Sequence, residues 1–351
     1  VDTSSGASTT VIGTITSAIG KVVMQAAAAL GIDGSVSGDT GVEIASGDAT
    51  TIKGSVTSNA GAVSVTAGPV NGSAKTGASI AIDGTVSGLG GTVNLTAGED
   101  IDVDGSVTGR DQVELSAARD IRVGDPANAT LTSTAADVAV NAGRSYSQKG
   151  NVSGETGVAI ASGTSSTIGG NVTSANGAVS VDAGTDIAVT GAANGKGKVA
   201  LTAANDVTVG GSLTSTAADV AVTATGGAYK QTGNVSGDTG VEIASGDATT
   251  IKGSVTSNAG AVSVTAGPVN GSAKTGASIA IDGTVSGLGG TVNLTAGEDI
   301  DVDGSVTGRD QVELSAARDI RVGDPANATL TSTAADVAVN AGRSYSQKGN
   351  V

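Results

Sequence analysis

Residues 36–152 recur without a single change as residues 235–351, displaced by 199 positions. A chain that repeats itself over such a stretch folds as stacked copies of one unit, because identical sequence meets identical neighbours. Between the two copies, Val152-Ser-Gly-Glu-Thr-Gly-Val158-Ala-Ile160 echoes Val36-Ser-Gly-Asp-Thr-Gly-Val42-Glu-Ile44, so residues 152–234 are a diverged partial copy. A shorter repeat, anchored on Val-x-apolar, lies inside the long one. Its 16 anchors run from Val1, Val22, Val42, Val63 and Val93 to Val337, mostly 20 or 21 residues apart. The spacing widens to 30 after Val63 and Val262, and to 25 after Val113 and Val312.

One unit shows the physics. Val93-Asn-Leu95-Thr-Ala97-Gly98 alternates apolar and polar residues, as do Ile101-Asp-Val103-Asp-Gly105 and Ser106-Val107-Thr108-Gly109. Period two marks strands with one buried face, and glycine punctuates the corners. A helix is excluded, since Val, Thr, Ile and Gly dominate and the apolar spacing is not 3.6. The alanine-rich segment from Met24 to Leu30 aligns without gaps on the same pattern and is read as strand. Three short strands per 20–21 residues make one triangular coil, and stacked coils make an all-β parallel β-helix, or β-solenoid. About 16 coils at roughly 4.8 Å each predict a rod of roughly 75–80 Å, one continuous domain over residues 1–351. With 56 Gly, no Phe or Trp and three Tyr, the chain can fill only a narrow interior.

The same composition excludes most chemistry. Without Cys or His there is no thiol nucleophile, no imidazole base, no disulfide and no zinc or haem site of the usual kind. A net charge of −15 opposes binding to a phosphate backbone, so nucleic acid is not a partner. No apolar run approaches the roughly 18 residues of a membrane span. No Ser-x-x-Lys or phosphate-loop spacing occurs, and we expect neither enzymatic activity nor a cofactor.

Five features break the regularity. Prolines cannot donate to a ladder, so the segments around them must leave the strands. Residues 69–77 carry Pro69, Asn71 and Lys75, and their copy carries Pro268, Asn270 and Lys274. A second loop holds Asp125, Pro126 and Asn128, repeated as Asp324, Pro325 and Asn327. Both loops are surface insertions or repeated contact sites. Asp100-Ile-Asp102-Val-Asp104-Gly105, followed by Asp111, resembles a calcium loop and recurs at Asp299, Asp301, Asp303 and Asp310. Strand alternation sets these carboxylates in an outward row, whereas a hard cation needs six or more converging oxygens, so a solvated strand face is the expectation. Arg110, Arg119 and Arg122 lie near Asp111, Glu114 and Asp120 and are read as an outer charge network. Tyr146, Tyr229 and Tyr345 fall in the slot of Ile101 and are read as core or corner residues.

Units such as Ala178-Val-Ser-Val-Asp-Ala-Gly-Thr-Asp-Ile-Ala-Val-Thr-Gly and Lys198-Val-Ala-Leu-Thr-Ala-Ala-Asn-Asp-Val-Thr-Val-Gly-Gly resemble the shaft of filamentous haemagglutinin-like exoproteins, including adhesins and contact-dependent inhibition proteins. The resemblance covers the whole chain. It implies a right-handed β-helix and two-partner secretion through an outer-membrane partner. It also implies an extracellular place on the bacterial surface, and a tip outside this chain that meets a receptor or glycan. Two other readings stand beside the shaft: a self-associating extracellular fibre or sheath, and an autotransporter-type module. The chain opens on an anchor and stops within a unit, so we expect it to be a window from a longer array.

Overall fold

The computed structural model describes residues 1–68, 77–124, 128–267, 276–323 and 327–351. The chain divides into two compact units, Val1–Ala175 and Asn176–Val351. Among the described residues all regular structure is β-strand, arranged in three parallel sheets that form a β-solenoid of short coils.

In the first unit every coil contributes one strand to each sheet, as Val93–Ala97, Ile101–Val103 and Val107–Gly109 do. Each residue sits over its counterpart. In the first sheet Val63, Val93, Val113, Val138 and Val158 pair in succession. Ile80, Ile101, Ile121 and Tyr146 do so in the second sheet, and Val86, Val107, Leu131 and Val152 in the third. The register runs unchanged across the 30- and 25-residue spacings, Val63 pairing with Val93 and Val113 with Val138. The second unit repeats the arrangement, with Val262, Val292, Val312 and Val337 in register.

Alternation decides what is buried. Val93, Leu95, Ile101, Val103 and Val107 are fully enclosed, while Asn94, Asp102 and Thr108 between them are partly exposed, as the pattern predicts. The alanine-rich segment is also strand: Lys21–Ala26 and Leu30–Asp33 flank a corner, with Met24 and Leu30 in the core. Burying such columns contributes roughly 25 cal/mol per Å² of apolar surface.

The corner between the second and third strands is a stack of glycines, because adjacent coils approach there too closely for a side chain. A Cβ on Gly84 would lie 2.6 Å from the carbonyl of Gly54, and one on Gly105 would lie 2.5 Å from the oxygen of Gly84. We expect Val103→Asp to remove amide-exchange protection from strands Ile80–Ile82, Ile101–Val103 and Ile121–Val123, since an unpaired charge would enter a dry core. Thr108→Ala should change stability by no more than about 0.5 kcal/mol. Retained protection in the first variant would contradict this assignment of the core.

Candidate functional site

The corner that precedes the second strand carries the most elaborate chemistry. At an ordinary coil a short polar side chain here accepts the N–H of its counterpart on the next coil. In the second unit Asp206 Oδ1 accepts from Ala228 N at 2.8 Å, and the same bond is kept in the coil widened after Val63, where Ser79 Oγ accepts from Asp100 N at 3.2 Å. Such bonds satisfy backbone groups that leave the ladder at a bend.

Across the widened coil after Val113 this bond grows into a charged staple. Asp120 is only 2% exposed. Its Oδ1 accepts from Ser145 N at 3.1 Å, Ser145 Oγ at 2.6 Å and Arg144 Nε at 3.2 Å, and its Oδ2 accepts from Arg144 Nη2 at 2.7 Å. Arg122 lies 3.7 Å from the same Oδ2. One coil back, Asp120 N donates to Asp100 Oδ1 at 3.0 Å, and Arg119 is 3.5 Å from both Glu99 and Asp100. The second unit rebuilds the same set. Asp319 takes Arg343 and Ser344, with Arg321 at 3.7 Å, and Arg318 reaches Glu298 at 3.3 Å.

Burial works against ionised Asp120, but the bonds from Ser145 and the Arg144 guanidinium outweigh it and hold the carboxyl below the usual range. At Asp319 the Arg343 and Ser344 bonds act in the same direction. Gly124 and Gly323, at φ +88° and +82°, follow the second strand of each staple coil in a conformation that side-chain-bearing residues rarely adopt.

Inside the next coil lies a polar rung. Tyr146 is buried and donates from its hydroxyl to Gln148 Oε1 at 3.3 Å, while Gln148 Nε2 donates to the Ala129 carbonyl at 2.6 Å. Tyr229 and Gln231 repeat this, with Tyr229 Oη 2.8 Å from Gln231 Oε1 and the amide on Gly211 O. Burial pushes both phenols upward, so they are neutral donors. Each acceptor carbonyl lies two residues before a third-strand leucine, Leu131 or Leu213, where most coils place valine.

The sequence expectations meet this geometry unevenly. Asp100, Asp102 and Asp104 do not form one row. Asp102 sits on the strand, whereas Asp100 and Asp104 occupy the corners before and after it, and Asp111 lies at the third corner. Among the described residues, no group of three or more acidic side chains is placed to hold a metal ion. Arg119, Arg122 and Asp120 do form a charge network, but its main cation is Arg144, one coil on and absent from the sequence reading. The tyrosines lie at the Ile101 position; Tyr345 takes it in the last coil and is partly exposed. Asn128 and Asn327 are exposed, and the other loop candidates, Pro69, Asn71, Lys75, Asp125, Pro126, Pro268, Asn270, Lys274, Asp324 and Pro325, lie outside the described residues.

A family profile described as hemagglutinin repeat matches residues 71–215 and 270–350. The chain belongs to this hemagglutinin-repeat family. Among curated proteins and among solved structures nothing matches. The matched segments of this filamentous haemagglutinin-like chain contain both staples and the rung at Tyr146, so these features fall within hemagglutinin-repeat sequence.

Two outcomes follow for the hemagglutinin-repeat coils. Because the Asp120 carboxyl lies below its unfolded value of about 3.9, its contribution is complete above that pH and is lost as pH falls through the folded value. Protection of the Ser145 amide should therefore drop on acidification below about pH 4, and Asp120→Asn should abolish that dependence. Chelator should leave the melting temperature unchanged, because Asp100, Asp104 and Asp111 occupy three different corners. A rise of several degrees in millimolar calcium would overturn this reading.

Proposed function

We propose that this chain is a stretch of the structural shaft of a large bacterial surface adhesin or filamentous haemagglutinin-like exoprotein, non-enzymatic and exported by two-partner secretion. The shaft displays a distal adhesive or toxic region that lies outside the chain. The observation that carries this reading is the in-register stacking of coils within each unit, each adding about 4.8 Å of length. Family membership supports it. On this reading residues 1–351 act as one continuous shaft, and an outer-membrane secretion partner handles export.

The test is an internal deletion in the full exoprotein displayed by its bacterium. Removing residues 36–234 joins Ser35 to Val235, which has the same sequence context as Val36, and so keeps the strand register. The surface projection should shorten by roughly 43 Å, nine coils, while the distal region stays displayed. Unchanged length with filaments several chains thick would favour the fibre reading, in which the repeated loops make lateral contacts.

A further inference from the structure

We propose that the Asp120 and Asp319 staples are mechanical stops that arrest the peeling of coils. The inference rests on contacts between coils, not on the proposed function, so either can fail without the other.

A stacked coil touches only the coils on either side, and a solenoid under tension therefore yields one coil at a time. At an ordinary boundary the resistance is the backbone ladder plus a single corner bond such as Asp206 Oδ1 to Ala228 N, with at most an exposed ion pair such as Lys198–Asp219 at 2.9 Å. At the boundary after Val113 the departing coil must also break four bonds to one carboxylate, two of them from the Arg144 guanidinium. Charge-assisted bonds of this fork geometry are about twice as strong as neutral ones. Asp120 is nearly enclosed while its partners are in place, so salt and water screen these bonds little until the coil departs. Arg122 remains with Asp120 on its own coil, while Arg119 and the Asp120 N–H tie that coil to Glu99 and Asp100. Three successive coils are thus joined where the chain interrupts its regular spacing. The second unit places Glu298, Asp299, Arg318, Asp319, Arg321 and Arg343 in the same relation.

Optical-tweezer unfolding of the full chain, tethered at its two termini, tests this. The wild type should show two pauses separated by 199 residues of contour, about 70 nm of extended chain. Each pause should last at least about tenfold longer than the step at an ordinary coil, the factor that one additional charged hydrogen bond supplies. Asp120→Asn should erase one pause and spare the other, Asp319→Asn should do the reverse, and the double variant should lose both. Arg144→Lys keeps the charge but loses the fork, and should shorten its pause. If circular dichroism shows the double variant unfolded, the single variants decide, each carrying one intact staple as its reference. A wild-type trace without pauses, pauses that survive Asp120→Asn, or loss of both pauses from a single substitution would overturn the proposal.

Discussion

Each described strand residue lies directly over its counterpart one coil away, and the rest of the structure depends on that alignment. Stacking at strand distance lets backbone groups of one coil bond to the next, and it turns every inward position into a column. A column tolerates only residues that fit above and below themselves, so the interior is mostly valine, isoleucine, leucine and alanine. The same alignment brings corners into contact, and glycine is required where two backbones meet without room for a side chain, as at Gly84 over Gly54.

Stacking also governs the polar groups. A bend removes N–H groups from the ladder, and one well-placed oxygen per coil restores each bond. Ser79, Asp100 and Asp206 all serve this purpose, although a serine and an aspartate differ greatly in charge. The carboxylate matters where a widened coil adds residues, because there it also gathers arginines. The outer staple ties the corner before the second strand of the widened coil to the next coil, and the inner Tyr–Gln rung satisfies the Ala129 carbonyl of the widened coil from within.

Most of the fold is legible in the sequence because period-two alternation and glycine corners are local signals. The strands at Val93–Ala97, Ile101–Val103 and Val107–Gly109 match the alternation residue for residue. Even the alanines after Met24 yield to register over helix propensity, since Val22 and Met24 pair with Val42 and Ile44. The site is less legible. Arg119, Arg122 and Asp120 are adjacent in sequence and readily suggest a charge network. Arg144 is 24 residues beyond Asp120, a distance that means contact only once the 25-residue spacing after Val113 is treated as a coil with a bulge. The Asp100 series misleads for the opposite reason: its regular spacing suggests one face, while two corners intervene. Gln148 offers no signal of its own, because a glutamine in a valine column has meaning only against the Ala129 carbonyl beneath it.

The Tyr–Gln rung bears on how such an array can change over generations. Tyr146 and Gln148 draw on a carbonyl of the preceding coil, beside Leu131, and Tyr229 and Gln231 draw on one beside Leu213. A crossover that carried the tyrosine coil alone into a new place would seat its amide over a neighbour with no matching turn. It would strand buried polar groups at a cost of about 1–3 kcal/mol each. Coils are therefore not freely interchangeable beads. Here the smallest piece that recombination can move intact is a pair: the coil that offers the carbonyl together with the coil that answers it.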